Sequence, residues 1–116
     1  MKNYHTDPAE IVLADESVSA SIAHTTGDEW LITIVIARQP AAMLIDPDAI
    51  NADLLSSDNH KFTITARPEQ ALVEAGGSMH TSANAVFRFN GVNKEADKLI
   101  VYWRNQALHF RIVRYN

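Results

Sequence analysis

The sequence predicts a mainly β protein: one domain over residues 1–116, an antiparallel β-sandwich, Ig-like or a small open barrel, with one or two short helices. Three observations carry this expectation. Apolar and polar residues alternate over residues 17–24, 60–66 and 85–89, which is the period of a strand with one wet face. Residues 30–37 read WLITIVIA, with β-branched side chains from Ile32 to Ile36. The chain then closes on two alternating segments, 98–104 and 107–115. The alternative is an α+β protein with helices packed on a sheet, which needs helices at 47–55 and 68–75.

The elements follow in order. Asp7-Pro8-Ala9-Glu10 has the form of a short helix opening, with an N-cap aspartate, a proline at the first helical position and a capping glutamate. Ile11 to Ala14 is too short to assign. Over Ser17–His24, Val18, Ala20 and Ile22 share one side and the serines the other. Thr26 to Glu29 reads as a turn. Trp30 to Ala37 is expected as a central strand covered on both faces, because it lacks a polar side. Pro40 ends it, and Ala41 to Ile45 is a possible short strand.

Asp46-Pro47-Asp48 repeats the cap-then-proline device, and Ile50 with Leu54 forms an i,i+4 apolar pair. His60 to Arg67 alternates with Phe62, Ile64 and Ala66 inward, and Pro68 is expected to stop that strand. Residues 68–75, PEQALVEA, are strong helix formers followed by Gly76-Gly77. Ala85, Phe87 and Phe89 define the inward side of the next strand. The terminal segments form a hairpin about Asn105-Gln106, which pairs Trp103 with Leu108 and Tyr102 with His109. One face then holds Leu99, Val101, Trp103, Leu108, Phe110 and Ile112. The other holds Ile100, Tyr102, Arg104, His109, Arg111 and Val113.

Composition narrows the function classes. The 116 residues are 47% hydrophobic and 21% charged, the balance of a globular chain able to bury a core. No cysteine is present, which excludes disulfides, thiolate metal sites and cysteine nucleophiles. Residues 1–58 carry ten acids and two bases, whereas 59–116 carry four acids and eight bases. Such asymmetry either creates a two-toned surface or cancels across adjacent strands. The N-terminal ten residues contain no apolar run, and no apolar stretch approaches a bilayer span, so the expected address is cytoplasmic, without membrane contact.

Catalytic signatures are missing. Gly76-Gly77 lacks phosphate-loop spacing, and no serine sits in a nucleophile elbow. The five histidines are far apart in sequence, so a metal site needs His24, His60 and His80 to converge through the fold. Asp15 and Glu16 read as a solvated charge pair. No catalytic residue, metal site or cofactor is therefore assigned. The constellation that stands out is Tyr102, Arg104, His109 and Arg111 on the polar hairpin face, joined by Arg88 if its strand is adjacent. Arginines beside aromatic rings suit contact with a protein or an anionic polymer. The expected function is a non-enzymatic binding or assembly module, making protein–protein contacts or self-associating through a sheet face or edge. The alternatives are a small hydrolase or isomerase with a His/carboxylate pair, and a weak single-stranded nucleic-acid binder. The net charge of −4 argues against the latter.

Overall fold

A computed structural model of the chain describes residues 3–14, 16–24, 29–38, 49–62, 64–75, 80–89 and 96–115. Among them are nine strands: β1 (Asn3–Asp7), β2 (Glu10–Leu13), β3 (Glu16–His24), β4 (Trp30–Arg38), β5 (Asn51–Ser56), β6 (Ile64–Ala75), β7 (His80–Phe89), β8 (Ala96–Trp103) and β9 (Gln106–Tyr115). They form a four-stranded sheet, β1-β9-β8-β5, and a five-stranded sheet, β2-β3-β4-β7-β6. Every paired neighbour is antiparallel. The protein is a mainly β two-sheet sandwich, not an open barrel, and the strand order differs from the Ig pattern. No helix among the described residues is long and apolar enough to cross a membrane.

Period-two patterning places one core between the sheets. Val18 of β3, alternate residues from Trp30 to Ile36 of β4, and Ala85, Phe87 and Phe89 of β7 enter from the five-stranded sheet. Ala52 and Leu54 of β5, Leu99, Val101 and Trp103 of β8, and Leu108, Phe110 and Ile112 of β9 meet them from the other. The Tyr4 and Trp30 rings, from β1 and β4, pack with centroids 4.4 Å apart. β4 is central, as expected, but only one of its faces lies in the core. Leu31, Thr33, Val35 and Ala37 point to the outer side and are half-buried by their neighbours in the sheet.

Several local expectations are corrected by this packing. Asp7-Pro8 does not open a helix. β1 ends at Asp7 and β2 begins at Glu10, so this corner carries the chain from one sheet to the other. Residues 49–55 are not helical beyond a single 3₁₀ position at Ala49. Ile50, Ala52 and Leu54 are all buried, a spacing of two that a helix cannot place on one side. Residues 68–75 are also extended. β6 passes through Pro68, with its register against β7 shifting between Ile64 and Ala66 and again between Ala66 and Glu69. An edge strand with an irregular register is where a sheet tolerates proline, and pairing with β7 overrides the helical propensity of PEQALVEA. Phe62 is buried ahead of β6, and its N–H donates to the Leu54 carbonyl at 2.9 Å. The expected strand at 41–45, the turn at 26–28 and the Gly76-Gly77 connection lie outside the described residues.

The terminal hairpin keeps its expected faces but turns one residue earlier, which moves each paired partner by two. Trp103 pairs with Gln106, Tyr102 with Ala107, Ile100 with His109 and Lys98 with Arg111. The loop is Arg104-Asn105, with φ of 54° and 59°, the backbone of a two-residue type I′ turn. A two-residue slip preserves side-chain parity, which is why the faces survive. Phe110, 1% exposed at the centre of β9, is expected to cost about 3–5 kcal/mol of stability on truncation to alanine. Equilibrium denaturation measures this, and a loss below about 1 kcal/mol would place the residue outside a packed core. NMR contacts between Tyr102 and Ala107, instead of Tyr102 and His109, check the register.

Candidate interaction face

The outer face of the four-stranded sheet is assembled by the register of its strands. Asp7 of β1 stands beside Arg111 of β9, and Arg111 beside Lys98 of β8. In the next row His109 is opposite Ile100, and Ile100 opposite Asp53 of β5. Tyr102, flanked by Ala107 and Asn51, forms the third. Tyr102, His109 and Arg111 thus occupy successive rows of one exposed face. Their neighbours are Ile100, which is half-buried, and Lys98. Lys98, His109 and Arg111 line an open depression of about 380 Å³, floored by Phe110 and bordered by Asp7.

The five expected contact residues do not act alike. Tyr102 donates its hydroxyl hydrogen bond to Asp53 Oδ2 at 2.7 Å, and Asp53 Oδ1 lies 3.2 Å from Lys61 Nζ. The hydrogen bond to the Asp53 carboxylate, then desolvation, then the Asp53 charge hold the Tyr102 hydroxyl above its ordinary ionisation range. Arg104 is displaced from the face by the turn, and its guanidinium carbon lies 4.7 Å from the centroid of the Trp103 ring. Arg88 belongs to β7, in the other sheet, where it pairs with Glu29 at 3.5 Å. It faces outward between buried Phe87 and Phe89, on the opposite side of the sandwich. His109 and Arg111 stay on the face, and no side-chain hydrogen bond or ion pair is found for either among the described residues.

Sequence reasoning missed Glu16. Instead of a solvated carboxylate, it is 7% exposed at the start of β3. Arg104 Nε and Nη2 donate to its two oxygens at 3.2 and 3.0 Å, and Trp103 Nε1 donates to Oε1 at 3.2 Å. The signal available in sequence was parity, since Glu16 shares the side of Val18, Ala20 and Ile22. Nothing local reveals that a turn 88 residues away supplies the donors.

No group of three or more potential metal ligands converges among the described residues. His24 and His80 fall at opposite ends of the five-stranded sheet. His24 pairs with Trp30, whereas His80 adjoins the Thr81–Arg38 pair. The eight steps from Trp30 to Arg38 along β4 separate these ends by about 27 Å.

Two measurements probe these contacts. Glu16→Ala leaves the Trp103 indole N–H buried without its acceptor and is expected to destabilise the fold by about 3 kcal/mol. Arg104→Ala, at a half-exposed position, is expected to cost about 1 kcal/mol. Equal losses in the two variants would show that the indole bond contributes nothing. For Tyr102, a raised folded pKa means the contribution is complete below about pH 10, the ordinary value, and lost as pH rises through the folded value. Asp53→Asn is expected to lower the ionisation pH of Tyr102, read as phenolate absorbance minus that of Tyr102→Phe. An unchanged midpoint would exclude Asp53 as the cause. Compared with known proteins, the chain matches no family model, no curated protein and no solved structure.

Proposed function

We propose that this protein is a non-enzymatic binding module that contacts an acidic protein surface through the outer face of its four-stranded sheet. The observation that supports this reading is the direct cross-strand pairing of Lys98 with Arg111, one row from His109. Like charges directly opposed on an antiparallel pair are unfavourable. Lys98 has a neutral partner, donating from Nζ to Asn59 Oδ1 at 2.8 Å. Asp7 stands across from Arg111 on β1, yet no ion pair joins them among the described residues. Carboxylates from a partner would replace this repulsion with charge-assisted hydrogen bonds, for which an arginine fork is well shaped. The neighbouring Ile100 and the aromatic ring of Tyr102 add apolar area of the kind found at protein contacts.

Fluorescence anisotropy with a labelled oligoglutamate peptide and a single-stranded oligonucleotide tests the proposal. The peptide is expected to bind, with Lys98→Ala or Arg111→Ala each weakening it by about tenfold. Preferential binding of the oligonucleotide, lost in the same variants, would replace the protein partner with nucleic acid. Binding of neither would reject the anionic partner altogether.

A further inference from the structure

We propose that the outer face of the five-stranded sheet is the contact surface of a homodimer, with two copies stacked sheet on sheet. Its centre is β4, whose outward residues Leu31, Thr33, Val35 and Ala37 are only partly accessible. β3 contributes small serines on one side, and β7 contributes Val86 on the other. Among the described residues, charge is confined to the margins of this face. Glu10 lies on edge strand β2, Glu69 stands opposite Val86 on edge strand β6, and the Arg88–Glu29 pair lies at one end. Val12, also on β2, is 66% exposed.

The same molecule supplies the comparison. Its other outer face carries Asp53, Lys98, His109 and Arg111, as a solvated antiparallel sheet does. A sheet with apolar and small residues outward on its central strands is instead patterned for cover on both sides, and loss of charge at the centre marks contact surfaces. The occupant follows from charge and size. Central strands without charge offer nothing to select an acidic or basic partner, whereas a second copy presents the same apolar centre. The basic face, turned on itself, would oppose Lys98 and Arg111 to their own copies. β3 and β4 are nine residues long. With β2, β7 and β6 of four, ten and twelve residues beside them, the sheet covers roughly 700 Å² per copy, close to the ~800 Å² per partner of a stable interface. Stacked sheets lie ~10 Å apart, and serines, alanines and valines allow that approach.

Sedimentation equilibrium of the full chain over a wide concentration range tests the dimer. The wild type is expected to be dimeric, and Val35→Lys to raise its dissociation constant about 100-fold or more by opposing two buried charges. Ser21→Arg, at an exposed position on β3, provides a second variant that keeps the test decisive if Val35→Lys fails to fold by circular dichroism. It too is expected to weaken the dimer. A wild type that stays monomeric, or a dimer unaffected by the folded variants, overturns the proposal. A dimer lost in Arg111→Ala but kept in Ser21→Arg also overturns it, assigning self-association to the basic face.

Discussion

The carboxylate of Glu16 leaves β3 of one sheet and is met by Trp103 and Arg104 from the hairpin of the other, so a single buried acid spans the sandwich. This contact accounts for an otherwise unfavourable turn. Arg104 and Asn105 both adopt positive φ, which costs a non-glycine residue about 1–2 kcal/mol. Hydrogen bonds to a charged group contribute about 1.5–3 kcal/mol each, and Glu16 accepts three of them. Had the hairpin turned at Asn105-Gln106, Arg104 would stand on the strand and Glu16 would lose its ion pair. Losing the Arg104 donors would leave the buried carboxylate with fewer hydrogen bonds, so the acid on β3 favours the observed register of β8 against β9. That register in turn opposes Lys98 to Arg111.

The hairpin shows where sequence reading succeeds and where it stops. Faces depend on parity, which alternation reveals, so Trp103 and Phe110 were assignable to the core and Tyr102 and Arg111 to the outside. Register depends on the turn, and Arg-Asn carries none of the Asn-Gly signal that marks a type I′ loop. PEQALVEA fails for a different reason. Its local preference is helical, but its backbone groups are paired with β7 from Glu69 to Ala75, and long-range pairing leaves no local trace. Of the candidate face, Tyr102, His109 and Arg111 were legible because they share one parity on one hairpin. Arg88 was misplaced because sequence does not reveal which strands become neighbours.

The charge asymmetry of the chain is resolved by topology. β1 and β5, from the acidic half, flank β9 and β8 from the basic half in one sheet. Asp7 therefore stands beside Arg111, while Asp53 engages Tyr102 and Lys61. Glu16 engages Arg104 across the sandwich, and Glu29, just before β4, engages Arg88 of the neighbouring β7. Among the described residues, the halves do not form two poles. What remains is a local excess around Lys98, His109 and Arg111, where basic strands adjoin each other instead of an acidic one.

The edges of the sheets explain why faces, not edges, are the surfaces available for specific contact. An open strand edge is a template for pairing, and proteins blunt it by shortness, irregularity, proline or charge. β1 and β2 span only five and four residues, too few for an extended ladder. β5 is six residues long, and its register breaks between Leu55 and Ser56. β6 is the long edge, but Pro68 and successive register shifts interrupt its first half. With each edge restricted by one of these devices, the remaining continuous surfaces are the two outer faces. One carries Lys98, His109 and Arg111 near its middle, whereas the other keeps charge off its central strands, so the contacts proposed for them rest on different chemistry and lie on opposite sides of the sandwich.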